Sequence, residues 1–156
     1  MEIQECMQRL HKAYKRGESS LGCVSRASIL AYFMKSKGLH PEVKQFCFKN
    51  EKGEKKIRTH CVVICEGTVY DANSEASKNP ISFEEYENMK KNQHPMLNMV
   101  WTNWDEDDEV DYAWNYLCNG CDEELQKELK PIMKPKYDVY LEKHPALRMV
   151  VYGKPS

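Results

Sequence analysis

The chain predicts an α+β fold, with N-terminal helices packed on a small antiparallel sheet. Three observations carry this. The first forty residues repeat apolar side chains at helical spacing. Residues 43–72 contain strand-like segments joined by tight turns, and residues 147–152 form a further β-prone segment. At 156 residues the chain suits one core, so a single α+β domain over 1–156 is the economical reading.

Residues 2–15 place Ile3, Met7, Leu10 and Tyr14 on one helix face. Gly17 suits the left-handed cap that ends that helix. Ser19 or Ser20 then offers an N-cap for a second helix over 23–37. Its apolar positions, from Val24 through Met34, form a band wide enough for burial. Gly38 caps it and Pro41 stops any continuation.

Residues 43–49 read as a strand, 50–54 as a polar turn and 57–65 as a second strand. Glu66-Gly67 is a two-residue turn of the type I′ kind, so 68–72 returns antiparallel. Further on, Ser82 and Glu85 form a capping box that opens a short helix. Residues 96–101 suggest a strand and 109–117 a helix with Val110, Ala113, Trp114 and Leu117 on one face. Residues 123–129 and 137–141 read as two separate short helical pieces.

Bulk properties exclude several functions. Lys plus Arg is 23 and Asp plus Glu is 24, so the basic excess of a nucleic-acid binder is missing. The run Asp105 to Glu109 repels phosphate and reads as a solvated loop. No apolar run of about 18 residues predicts a membrane span, and Met1 to Glu5 lacks a signal-peptide pattern. Seven cysteines without framework spacing predict reduced thiols and a cytoplasmic location.

The chemistry concentrates in three residues. Cys23 opens the second helix, His60 lies on the second strand and Asp71 on the third. A thiol reacts as thiolate, and a helix N-terminus and an imidazolium both favour that form. The turn at Glu66-Gly67 sets the register: Cys65 faces Thr68, Val62 faces Asp71 and His60 faces Asn73. His60, Val62, Ile64, Val69, Asp71 and Asn73 then share one sheet face. Asp71 is the diagonal neighbour of His60, at roughly 7–8 Å between Cβ atoms, and Asn73 the direct one. Either can orient the imidazole; a carboxylate also stabilises imidazolium, which favours Asp71. The Cys23 N–H, with the Ser20 hydroxyl, is placed to meet a developing oxyanion.

Gly22-Cys23 opening a buried helix, His60-x-Val62-x-Ile64, the Gly67 turn and Val69-Tyr70-Asp71 together resemble the Cys-His-Asp core of the papain-like superfamily. The likeness is closest to its transglutaminase-like, arylamine acetyltransferase-like and leader-peptidase-like branches, and covers residues 18–74. The Cys-Gly-Ser-Cys-Trp motif of papains is missing. Gly17 stands where papains carry an oxyanion Gln, and Val24 where transglutaminases carry Trp. The resemblance implies a papain-like or transglutaminase-like core with Cys23 as nucleophile, His60 as acid and base, and Asp71 as its orienting group. It implies no cofactor and no metal. The implied reaction is acyl transfer from a peptide, protein or small amide substrate. Water as acceptor makes a peptidase, amidase or deconjugating hydrolase; an amine makes a transglutaminase or acyltransferase.

Plainer readings stand beside this one. Buried free cysteines are common core residues, and Asp71 also suits an Asx turn leaving the strand. The same fold without activity would be a binding or regulatory module. Cys118-Asn119-Gly120-Cys121 suggests either half of a zinc site or a helix end. Cys61 and Cys65 lie about 13 Å apart at strand rise, too far to complete it. The aromatics Trp101, Trp104, Tyr112, Trp114 and Tyr116 read as core or as a groove wall.

Overall fold

The computed structural model describes residues 1–13, 20–73 and 80–146, with Ser20, Arg58 and Thr59 described by backbone alone. The expected Gly17 cap, the Ser19 cap and the strand over 147–152 lie outside these residues. The described order is α1 (Ile3–Lys12), α2 (Ser20–Ser36), β1 (Glu42–Lys49), β2 (Lys55–Cys65), β3 (Thr68–Tyr70), β4 (Ile81–Ser82), α3 (Phe83–Gln93), β5 (Asn98–Trp104), α4 (Val110–Gly120) and α5 (Glu123–Lys143).

The strands form one antiparallel sheet in the order β4-β3-β2-β1-β5, so the α+β class holds. Alternation along β2 divides its side chains between two apolar layers. Cys61, Val63 and Cys65 face a core shared with α1, α2, α4 and α5. Val62 faces the other way, with Phe46, Phe48, Val69 and Tyr86 of α3. The hairpin register is as expected, with Cys65 opposite Thr68, Ile64 opposite Val69 and Val63 opposite Tyr70. Glu66 and Gly67 both have positive φ, 50° and 75°, the backbone a type I′ turn demands.

Three expectations are corrected. First, α2 starts at Ser20, not at Cys23. Second, β3 ends at Tyr70, before Asp71; the Asp71 side chain instead closes a turn on the Asn73 N–H, 2.9 Å away. Third, the two short pieces near the end are one helix, α5, running through Pro131 and Pro135. Both prolines lie on its exposed side, where water can take the carbonyls they leave unbonded. Leu125, Leu129, Met133, Tyr137 and Leu141 keep the buried stripe unbroken. Each such side chain contributes about 1.5–3 kcal/mol on burial, against about 3 kcal/mol for an interior proline, so the stripe wins.

The acidic run is also not simply solvated. Glu106 is buried and pairs with Lys35 of α2. The Tyr32 hydroxyl bonds the Glu106 carbonyl at 2.9 Å and the Asp107 carboxylate at 2.7 Å. The run therefore bolts the loop before α4 onto the C-terminal half of α2. Nor do the aromatics form one wall. Trp114 stacks on Tyr137 of α5 at 4.8 Å, while Trp101 packs on Phe46 in the opposite layer.

Candidate active site

Cys23, His60 and Asp71 come together where β3 stops short. In the hairpin, Cys65 and Val63 pair with Thr68 and Tyr70, and the same parity turns the Cys61 backbone toward the β3 side. There the strand partner is missing, because β3 has ended. Two side chains fill the gap. The Cys61 N–H donates to the Cys23 Sγ at 3.4 Å, and the Asn73 Nδ2 donates to the Cys61 carbonyl at 2.9 Å. A sulfur thus occupies the place of a ladder acceptor. Cys23 projects there from the first turn of α2, within reach of the helix dipole.

The residue of β2 just before Cys61 is His60. Its Nδ1 lies 3.8 Å from the Cys23 Sγ, and its Nε2 lies 2.8 Å from the Asp71 Oδ2. The carboxylate assigns a proton to Nε2, which leaves Nδ1 to face the sulfur. Phe46, the cross-strand partner of His60, packs its ring at 5.5 Å and limits ring rotation. The imidazole remains about a quarter exposed, at 24%.

Asp71 is fully buried, and three hydrogen-bond donors meet its carboxylate. Oδ2 accepts from His60 and from the Tyr86 hydroxyl at 2.9 Å, and Oδ1 accepts from the Asn73 N–H. Burial alone would raise its pKa, but His60, the Asn73 N–H and Tyr86 together hold the carboxyl below its ordinary range. Burial opposes charge on His60 as well. The Asp71 charge and hydrogen bond outweigh it, with a smaller contribution from Cys23, and lift the imidazole to about 10. The pair is therefore an imidazolium–carboxylate at neutral pH, with a sulfur beside the imidazolium.

The Asx turn and the orienting role of Asp71 are one feature, since the turn presents the second oxygen to His60. Asn73 is not a rival partner for the ring. Its amide bonds the Cys23 carbonyl at 3.1 Å and the Cys61 carbonyl, because beyond Tyr70 the chain leaves the ladder that would have set it opposite His60. The Ser20 hydroxyl lies outside the described side chains. At the sulfur, the N–H supplied is that of Cys61.

All seven cysteines are free. Burial, with nearby acidic groups, pushes the Cys6 and Cys121 thiols up to about 12, and burial also raises Cys61 and Cys65. Cys23 and Cys118 are the half-buried ones. Among the described residues, no three His, Cys, Asp or Glu side chains converge as metal ligands, so Cys118 and Cys121 find no completing set there. No helix among the described residues is long and apolar enough to cross a membrane.

No family model, curated protein or solved structure matches the chain.

Sequence reasoning missed Tyr86, Arg26 and Tyr116. Tyr86 is the one fully buried residue of α3, and it lies on the helix side that also carries Phe83 and Met89. Arg26 is a cation inside the apolar band of α2, and it is 1% exposed; a charge in such a band marks a buried polar contact.

Proposed function

We propose that this chain is a cysteine-dependent acyl-transfer enzyme, a thiol hydrolase that cleaves an amide or isopeptide bond through a Cys23 thioester. One observation carries the reading: a single imidazole meets a thiol through one nitrogen and a buried carboxylate through the other. The Cys23 thiolate attacks the carbonyl carbon, and the carbonyl π pair moves onto oxygen. As the tetrahedral adduct collapses, the C–N bond breaks and His60 gives its Nδ1 proton to the leaving amine. Neutral His60 then takes a proton from water, which attacks the thioester and releases the acid and the thiolate. Asp71 holds the ring and stabilises the imidazolium in both steps. The papain-like or transglutaminase-like resemblance of residues 18–74 agrees with these roles. An amine in place of water would complete a transglutaminase or acyltransferase reaction at the same site.

The test needs no knowledge of the natural substrate. Iodoacetamide at mildly acidic pH should alkylate Cys23 ahead of the other six thiols, and His60→Ala should abolish that preference. p-Nitrophenyl acetate should leave an acetyl group on Cys23, detected by peptide mass mapping. Its release in buffer alone or only with added amine decides between hydrolase and transferase. Uniform slow alkylation, with no acetyl-Cys23, would leave a binding module as the surviving reading.

A further inference from the structure

The buried cation one helical turn beyond Cys23 has no part in the proton transfers above. Arg26 lies three residues after Cys23, hence on the same side of α2. Its Nε donates to the Asn73 Oδ1 at 2.6 Å, and its Nη1 to the Tyr116 hydroxyl at 2.5 Å. The guanidinium carbon also stands 5.5 Å from the centre of the Tyr116 ring. That hydroxyl donates onward to the Ala13 carbonyl at 3.1 Å, beyond the end of α1. The guanidinium is thus held from α4 and holds Asn73 in turn.

Asn73 has one acceptor and two donors on its side chain. With Oδ1 committed to Arg26, Nδ2 must point the other way, at the Cys23 and Cys61 carbonyls. Those two carbonyls belong to the helix that carries the sulfur and to the strand that carries His60. One amide therefore ties the two together at the place where the sulfur meets the ring. An amide flipped end for end would set its oxygen against both carbonyls.

We propose that Arg26 is a positioning residue for the acyl-transfer site: by clamping Asn73 it fixes the amide that ties Cys23 to Cys61, and so holds the sulfur on His60. The inference rests on the reading of Cys23 as nucleophile. It deepens that reading by naming what sets the 3.8 Å sulfur–nitrogen separation. Arg suits the task because its planar fork offers two donors in fixed directions, which Lys cannot reproduce.

Three variants test it: Arg26→Met, Asn73→Ala and the double change, with iodoacetamide alkylation of each thiol followed by mass mapping from pH 5 to pH 9. Displacing a reacting atom by about 1 Å can cost about 100-fold in rate. Each single variant should slow Cys23 alkylation at pH 6 by about 10- to 100-fold and change its pH profile. The double variant should be no slower than the worse single, since both act through one amide. The buried Cys61 and Cys121 should stay unlabelled; a merely loosened fold would expose them. Asn73→Asp covers the case in which Arg26→Met does not fold. It keeps an acceptor for Arg26 but sets an anion against the two carbonyls, so it should fold and still lose Cys23 reactivity. Arg26→Lys should recover little. Wild-type Cys23 rate and profile in Arg26→Met, or in Asn73→Asp, would overturn the proposal. Additive losses in the double variant would do the same. If wild-type Cys23 itself shows no preference, it is the acyl-transfer reading that fails.

Discussion

Replacing Asp71 by Asn removes one buried charge while keeping the shape of the side chain, and its effect should depend on pH in a defined way. In the folded protein His60 titrates at about 10, against an ordinary value of 6.5. The stabilisation from its charged form is complete below pH 6.5 and is lost as pH rises through about 10. One proton differs between the folded and unfolded states across that window, which makes the slope about 1.4 kcal/mol per pH unit. The window corresponds to about 5 kcal/mol. Asp71 raises His60 more than Cys23 does, so most of the loss falls to Asp71, in the range of a broken buried ion pair, about 3–5 kcal/mol. Urea unfolding of wild type and Asp71→Asn at pH 5, 6.5, 8 and 9.5 reads this directly. The stability gap should be widest near pH 5–6.5 and shrink steadily toward pH 10. On the acid side, Asp71 is held below its ordinary value of 3.8. Its contribution is therefore present above that pH, and the gap should close again as pH falls through the folded value. A gap that stays level from pH 6.5 to 9.5 would refute the imidazolium–carboxylate pair.

Other consequences are more local. Tyr86→Phe removes a donor from the Asp71 Oδ2, so it should cost about 1–3 kcal/mol in chemical unfolding and move the acid limb of any Cys23-dependent activity to higher pH. Tyr32→Phe leaves Glu106 and Asp107 without their shared hydroxyl; a loss of about 1–3 kcal/mol, with Cys23 alkylation unchanged, is expected. Pro131→Ala and Pro135→Ala each restore an amide donor on the exposed side of α5. Each should raise the melting temperature by an amount corresponding to about 1–2 kcal/mol, since the helical gain of about 3 kcal/mol is offset by a freer unfolded chain.

Where local pattern alone decides structure, the sequence was readable. The Glu66-Gly67 turn set the register, and that register placed His60 on the correct sheet face. Ser82 caps α3 through the Glu85 N–H as its position suggested. The misreadings share a cause, in that a long-range contact outweighed a local signal. Residues 123–129 and 137–141 read as separate pieces, with Pro131 and Pro135 between them, and only the α4 and α2 surfaces against which α5 packs make the continuous helix cheaper. Asp105 to Glu109 looked solvated because its partners, Tyr32 and Lys35, lie some seventy residues away in sequence. Asn73 looked like a partner for His60 because its pairing was extrapolated past Tyr70. The clamp from Arg26 to Asn73 spans α2 and the turn after β3, and no short-range spacing points to it.

The early end of β3 has a consequence for how such a site could be gained or lost. Two more rungs of hairpin would satisfy Cys61 with backbone partners and improve the sheet as a sheet. The same change would evict the sulfur and the Asn73 amide, and carry Asp71 into the ladder, away from the turn that aims it. Strand completion and chemistry compete here for one pair of backbone groups. Substitutions that raise β-propensity between Asp71 and Asn73 should therefore trade reactivity at Cys23 for stability, with no change to the three reacting side chains themselves.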